Sequence, residues 1–185
     1  MSIPNLLAYT RLVLTPIVMA LILASPEGSR AVAYTATATF VAAALTDLAD
    51  GYLARRWRIV TTLGAFLDTV ADKILVTGAL VALVQIETVS AWVAFIIIGR
   101  EIAIMGLRSV AALDSGTVPP SIWGKWKATI QFVAISFAIL ALDVVIGPWR
   151  LDQWLMGGAV VVTILSAGDY FSRFRSVFAI ADRDT

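Results

Sequence analysis

The chain has 185 residues, 59% of them hydrophobic, with 14 basic and 13 acidic side chains and neither cysteine nor histidine. A mean hydropathy of +0.88 excludes an ordinary soluble domain and indicates a polytopic membrane protein. The missing residue types exclude a disulfide framework, a thiol nucleophile and an imidazole base, and a net charge of +1 gives no ground for a nucleic-acid partner.

The first helix is expected from Ile3-Pro4, where proline suits a first helical turn, to about Ala24, with Pro16 a candidate kink. On residue type alone, Asn5 caps this helix and Arg11 snorkels to an interface. The segment lacks a basic leader and runs into Ser25-Pro26-Glu27-Gly28 rather than a cleavage site, so it is expected to remain as a helix. After a turn at 25–29, the second helix is expected from Ala31 to about Ala54, roughly 36 Å at 1.5 Å per residue. Arg55, Arg56 and Arg58 are expected in a short loop, and the third helix from Thr61 or Thr62 to Ile86.

These two helices carry Asp47, Asp50, Asp68 and Asp72 within otherwise apolar sequence. An aspartate at the centre of a membrane helix costs roughly 2.5 to 3.5 kcal/mol, so four of them need partners, water or cations. Asp47 and Asp50 are spaced i, i+3 and Asp68 and Asp72 i, i+4, so each pair shares a helix face. A hairpin turning near Ile59 puts Asp50 and Asp68 at one depth and Asp47 and Asp72 one turn deeper. Oxygen-only ligands suit hard divalent cations, and Gly51, Ala54 and Gly64 leave open surface beside the acids. Spacing alone also fits a proton or ion path with close helix contacts at the small residues.

The full pattern, D-x2-D-G-x2-A-R-x8-G-x3-D-x3-D, is matched at Asp47, Asp50, Gly51, Ala54, Arg55, Gly64, Asp68 and Asp72, and it resembles the signature of the CDP-alcohol phosphotransferases. Eight fixed positions at about one in twenty each would coincide by chance roughly once in 10^10 starts. The resemblance implies an integral membrane enzyme that moves a phosphatidyl or similar group from a CDP-linked donor to an alcohol and releases CMP. It implies that the four aspartates hold two divalent cations, Mg2+ or Mn2+, and that Asp72 also takes the hydroxyl proton. Asp50, Gly51, Ala54, Arg55, Gly64 and Asn5 would border the CDP group.

Continuing along the chain, Lys73 either offsets neighbouring carboxylate charge or snorkels to the nearer surface. A turn at 87–90 precedes a fourth helix, Ala91 to about Leu113, in which Arg100 and Glu101 fall near mid-bilayer depth and are expected to face protein. Arg108 lies seven residues beyond Glu101 on the same face, so Glu101 pairs structurally with either arginine or the arginines point at an anion. Residues 114–120 read as a loop before the fifth helix, whose first turns carry Lys125 and Lys127. Cations at a helix N-terminus oppose the dipole, which a bound anion would relieve, while topology-obeying loop lysines are the alternative. That helix is expected to end near Ile146-Gly147-Pro148, and a sixth to run from about Trp154 to Tyr170.

The expected architecture is therefore an all-α integral membrane protein, one domain over residues 1–185, with six transmembrane helices. Alternating loops put Arg55 to Arg58, Arg100 to Lys127 and Arg173 to Arg183 on the side of both termini, leaving Arg30 and Arg150 opposite, which makes the termini cytoplasmic. The polar active-site cavity then faces the cytosol. Trp92, Trp149 and Trp154 fall at outer helix ends and Trp57, Trp123 and Trp126 at inner ones, as interfacial anchors do.

Outside the signature, residues 3–11, 99–108, 124–131 and loosely 166–170 resemble the phosphatidylglycerophosphate synthase branch, with Ala8 and Ala128 standing where that branch usually has threonine. This implies CDP-diacylglycerol as donor, glycerol 3-phosphate as acceptor, a bacterial inner-membrane location, contact with membrane lipids and a homodimer. It also implies that Arg100, Arg108, Lys125, Lys127 and Arg11 bind the acceptor phosphate. Inositol phosphate, serine or phosphatidylglycerol as acceptor is the alternative within the family. A divalent-cation transporter is the alternative outside it, and leaves Gly51, Ala54, Arg55 and Gly64 unexplained.

Overall fold

The computed structural model describes residues 3–26, 29–57, 62–113 and 122–181, with side chains within 8–26, 29–46, 64–110 except 65 and 68, and 126–172. Among them are six helices, α1 Ile3–Ala24, α2 Arg30–Trp57, α3 Thr62–Gln85, α4 Ala91–Leu113, α5 Ile122–Leu140 and α6 Leu151–Ala181. A small antiparallel hairpin joins the last two, with β1 Val145–Ile146 paired to β2 Trp149–Arg150. The chain is thus mostly helical, as expected. By length and composition Leu151–Ser172 of α6 can cross a bilayer, and Ala8–Ala24 and Trp126–Leu140 are shorter apolar stretches.

Helix α1 packs along α3 and α2, α5 along α6 and α2, and α4 along α6 and α3. The α1–α3 contact is the tightest point: a Cβ on Gly78 would stand 2.7 Å from Thr15 Cγ2 and 3.0 Å from Met19 Sδ. Small residues let helix backbones approach in this way when there is no water to drive apolar side chains together. Around that contact Val18, Ile22, Leu75, Ala79 and Leu83 form the middle of the buried core.

The interior is apolar but also holds charged side chains, and large apolar side chains cover much of the outside. Arg11 is fully buried, as are Glu101, Lys127, Gln131 and Asp152 to within a few per cent, whereas Phe66, Trp92, Phe95 and Ile102 lie exposed on the outside. So much outward apolar surface on helix faces is suited to lipid.

Helix ends follow local chemistry. Ser90 caps α4, its Oγ accepting the Trp92 N–H at 3.3 Å. At the start of α6, Gln153 Oε1 accepts the Arg150 N–H at 3.1 Å, the reciprocal half of a capping box, with Asp152 in the first turn. This cap begins α6 at Leu151, three residues before the expected Trp154, and no Gly or Pro after Tyr170 stops it before Ala181. Similarly, α2 continues to Trp57 rather than stopping at Ala54, so Arg55 and Arg56 are helical, not in a loop. In contrast, α5 ends at Leu140, short of the expected Ile146. Ala141 turns left-handed at φ 46°, and the β-branched Val144-Val145-Ile146 run followed by Gly147-Pro148 closes a hairpin instead. Pro16 is accommodated within an unbroken α1.

At this end of the bundle each arginine meets an aspartate: Arg30 pairs with Asp143 at 3.2 Å and Arg150 with Asp152 at 3.1 Å. The rings of Trp149 and Trp154 pack 4.7 Å apart, and the Trp154 indole N–H donates to the Ile146 carbonyl.

Candidate active site

The signature is divided between the last third of α2, carrying Asp47, Asp50, Gly51, Ala54 and Arg55, and the first half of α3, carrying Gly64, Asp68 and Asp72. Residues 58–61 connect the two helices, which are in contact, so the segments are neighbours by connectivity. The side chains of Asn5, Asp47, Asp50, Ala54, Arg55, Asp68 and Lys125, with Gly51, lie outside the described residues, as do Arg58 and the 114–121 segment. Gly64 is half-buried at the start of α3. Among the described residues no three acidic side chains meet, and of the signature carboxylates that set contains Asp72 alone.

Asp72 begins a chain of charges that crosses three helices. Its Oδ2 accepts from Lys73 Nζ at 2.8 Å, and the same ammonium reaches Glu101 Oε2 on α4 at 2.9 Å. Glu101 Oε1 pairs with Lys127 on α5 and lies 3.5 Å from Arg100 Nη1. Lys73 therefore offsets carboxylate charge instead of snorkelling. Glu101, with a side chain only 7% exposed, is the common counter-ion of three cations. Of these four groups Glu101, Arg100 and Lys127 are largely buried, and their mutual pairing meets the requirement that charges taken out of water be paired.

The expected inward direction of Arg100 and Glu101 is met, and so is their mutual ion pair. The alternative pairing of Arg108 with Glu101 is not formed. Seven residues place Arg108 about 10 Å further along α4, where its Nε donates to the Tyr170 hydroxyl of α6 at 2.9 Å and its Nη2 donates to the same oxygen. Arg100 Nη2 donates to Ser166 Oγ at 2.6 Å. Both guanidinium carbons lie over the Tyr170 ring, at 5.8 Å for Arg100 and 5.2 Å for Arg108.

Of the expected phosphate-binding set, Arg100 and Lys127 meet Glu101 beside the Asp72–Lys73 pair, and Arg108 lies further along α4, sharing the Tyr170 ring with Arg100. Arg11 is fully buried in α1 rather than snorkelling to an interface. Tyr170, Ser166 and the bridging role of Lys73 went unassigned in the sequence. A signal existed in α6: Asp152, Met156, Ala159, Thr163, Ser166 and Tyr170 recur at spacings of four and three and share one buried face.

For the implied metal, the test available is donor chemistry. Four aspartates on two adjacent helices offer hard oxygen donors, with no imidazole or thiolate anywhere in the chain to favour a softer ion. Asp72 is consistent with such a role, because Lys73 engages only Oδ2 and no described residue bonds Oδ1. The residues fit a divalent site.

The sequence model of the CDP-alcohol phosphatidyltransferase family matches residues 1–165. A CDP-diacylglycerol–glycerol-3-phosphate 3-phosphatidyltransferase of Bacillus subtilis is 38% identical, covering 93% of this chain and 94% of its own length. One of the same name from Haemophilus influenzae is 35% identical over 90% of the chain and 85% of its own length. A probable phosphatidylglycerophosphate synthase of Mycobacterium tuberculosis is 34% identical, covering 93% of the chain and 81% of that protein. With an intact eight-residue signature on α2 and α3 and a family match over nearly its whole length, the chain belongs to the CDP-alcohol phosphatidyltransferase family.

Proposed function

We propose that this protein transfers the phosphatidyl group of CDP-diacylglycerol to glycerol 3-phosphate, giving phosphatidylglycerophosphate and CMP. The observation that carries the choice of acceptor is the meeting of Arg100 and Lys127 at Glu101, one ion pair away from Asp72–Lys73, with Arg108 joined to Arg100 across the Tyr170 ring. In this network of described residues Lys73, Arg100, Arg108 and Lys127 stand with Asp72 and Glu101, and two of the cations are guanidinium groups, whose planar donors suit a phosphate. Serine or an uncharged polyol has no use for such groups. The full-length relatives bearing this activity in their names support the same acceptor.

The reaction requires the acceptor hydroxyl to attack the lipid-bearing phosphorus of the donor while the bond from that phosphorus to the CMP oxygen breaks. With neither histidine nor cysteine in the chain, the hydroxyl proton is assigned to a carboxylate, that of Asp72. Lys73 holds Asp72 Oδ2. Arg100, Arg108, Lys125 and Lys127, with Arg11, are assigned to the acceptor phosphate, and Gly51, Ala54, Arg55, Gly64, Asp50 and Asn5 to the CDP group. Divalent cations held by Asp47, Asp50, Asp68 and Asp72 would supply Lewis-acid stabilisation of charge on the diphosphate.

The six helices are read as six spans with the site opening to the cytosol and both termini cytoplasmic. The exposed apolar helix faces and the preponderance of Arg and Lys at the signature end support that reading. An acceptor panel tests the proposal: purified protein, CDP-diacylglycerol, and CMP release measured with glycerol 3-phosphate, inositol phosphate, serine and phosphatidylglycerol. Glycerol 3-phosphate should give the highest kcat/KM, and a better rate with any other acceptor would overturn the assignment.

A further inference from the structure

The buried stripe of α6 changes character along its length. Met156 and Ala159 are apolar packing, but each of the next three positions carries a hydroxyl that accepts a hydrogen bond from another helix. Thr163 accepts from Gln131 Nε2 at 2.9 Å, Ser166 from Arg100 at 2.6 Å, and Tyr170 from Arg108 at 2.9 Å. The two arginines are eight residues apart, about 12 Å along α4, yet both converge on the Tyr170 ring. Tyr170 is 1% exposed and Ser166 fully buried, so these oxygens are fixed points within the bundle. Arg100 Nε is buried with no hydrogen-bond partner among the described residues.

The choice of partner matters chemically. A carboxylate opposite Arg108 would cancel its charge, whereas a hydroxyl fixes the plane of the guanidinium and leaves the charge available to an anion. Glu101 serves Lys73, Lys127 and one edge of Arg100, and Arg108 is held by a neutral oxygen. We propose that Ser166 and Tyr170 are positioning residues that set the Arg100 and Arg108 guanidinium groups for the phosphate of the acceptor. This rests on the reading that those arginines bind that phosphate.

The test is steady-state kinetics on the purified full-length protein, varying glycerol 3-phosphate at saturating CDP-diacylglycerol and the reverse. Tyr170→Phe keeps the ring and loses only the oxygen, so KM for glycerol 3-phosphate should rise roughly tenfold, the loss of one charge-assisted hydrogen bond. The donor KM and kcat should change by less than about twofold, because ground-state orientation of the acceptor is what has been lost. Ser166→Ala should act in the same direction and more weakly, since Arg100 keeps Glu101, and it gives the same split if Tyr170→Phe is unstable. Because Tyr170 acts through Arg108, Arg108→Gln/Tyr170→Phe should be no worse than Arg108→Gln. Thr163→Val removes a hydroxyl from the same stripe without touching an arginine and should leave the acceptor KM unchanged. If Arg108→Gln raises that KM but neither Tyr170→Phe nor Ser166→Ala does, the positioning role is overturned and the phosphate reading stands. Additive effects in the double variant would also overturn it. If Arg100→Gln and Arg108→Gln leave the acceptor KM unchanged, both fall.

Discussion

Replacing Glu101 by alanine removes the counter-ion shared by Lys73, Arg100 and Lys127. The side chains of Glu101, Arg100 and Lys127 are 7%, 10% and 5% exposed, so solvent cannot take over the lost role. Breaking a buried ion pair by deleting one partner costs about 3 to 5 kcal/mol, because the other charge stays buried and unpaired. For a chain of this length each kcal/mol corresponds to about 2 to 4 °C in Tm, so Glu101→Ala should lower Tm by on the order of 10 °C. Thermal unfolding in detergent, followed by tryptophan fluorescence, measures it. Glu101→Ala/Lys127→Leu removes the most buried of the three cations as well and should recover a large part of the loss. A drop below about 1 kcal/mol, the range of an exposed pair, would refute the argument, as would a double variant as unstable as the sum of the two single ones.

Asp72→Asn should reduce kcat by about 10^2 to 10^4-fold, the usual loss for a general base, while CDP-diacylglycerol still binds, and a near-normal rate would move the base elsewhere. Rigorous chelation should abolish CMP release and added Mg2+ or Mn2+ restore it, since the signature supplies only hard oxygen donors. Full activity after chelation would remove the metal site. At the α1–α3 contact, Gly78→Ala puts a methyl 2.7 Å from Thr15 Cγ2 and should cost about 1 to 3 kcal/mol. Gly157→Ala, with nothing within 4 Å, should leave Tm unchanged or slightly raised, and equal melting of the two variants would contradict the close approach.

Where sequence reasoning succeeded, a strong local signal coincided with the tertiary outcome. The limits of α1, α3 and α4 follow from Pro4, Ser90 and the polar turns between apolar runs, and the inward direction of Arg100 and Glu101 follows from the cost of charge in lipid. The eight-residue signature was legible in full because its spacing is independent of the rest of the fold. The ends of α2, α5 and α6 were not, because Arg55 and Arg56 are good helix formers with no Gly or Pro between Gly51 and Trp57, and the Val144-Val145-Ile146 run reads equally as helix or strand. The partners of Lys73 and Arg108 depend on which helices neighbour α4. Periodicity reveals that α6 has a buried face, but only the packing of α4 against it shows that Ser166 and Tyr170 meet arginines.

That dependence on packing has a consequence for the site itself. In a bundle whose outer surface carries Phe66, Phe95 and Ile102, lipid removes the hydrophobic drive that would hold helices together in water, so association rests on close contacts such as Gly78 against Thr15 and on internal polar bonds. The bonds that join α3 to α4 and α4 to α5 include the Lys73–Glu101 and Lys127–Glu101 pairs, and those that join α4 to α6 include Arg100–Ser166 and Arg108–Tyr170. Arg100, Arg108 and Lys127, assigned to bind an anion, are therefore among the groups that fasten α4 to α5 and α6. Charge-removing substitutions at Glu101 or Lys127 change stability and affinity together, and their kinetics alone cannot separate the two roles. A hydroxyl deletion at Tyr170 or Ser166 leaves every charge in place and almost all of the packing, so a selective rise in acceptor KM there reports on the geometry of the guanidinium pair and not on whether the helices hold together.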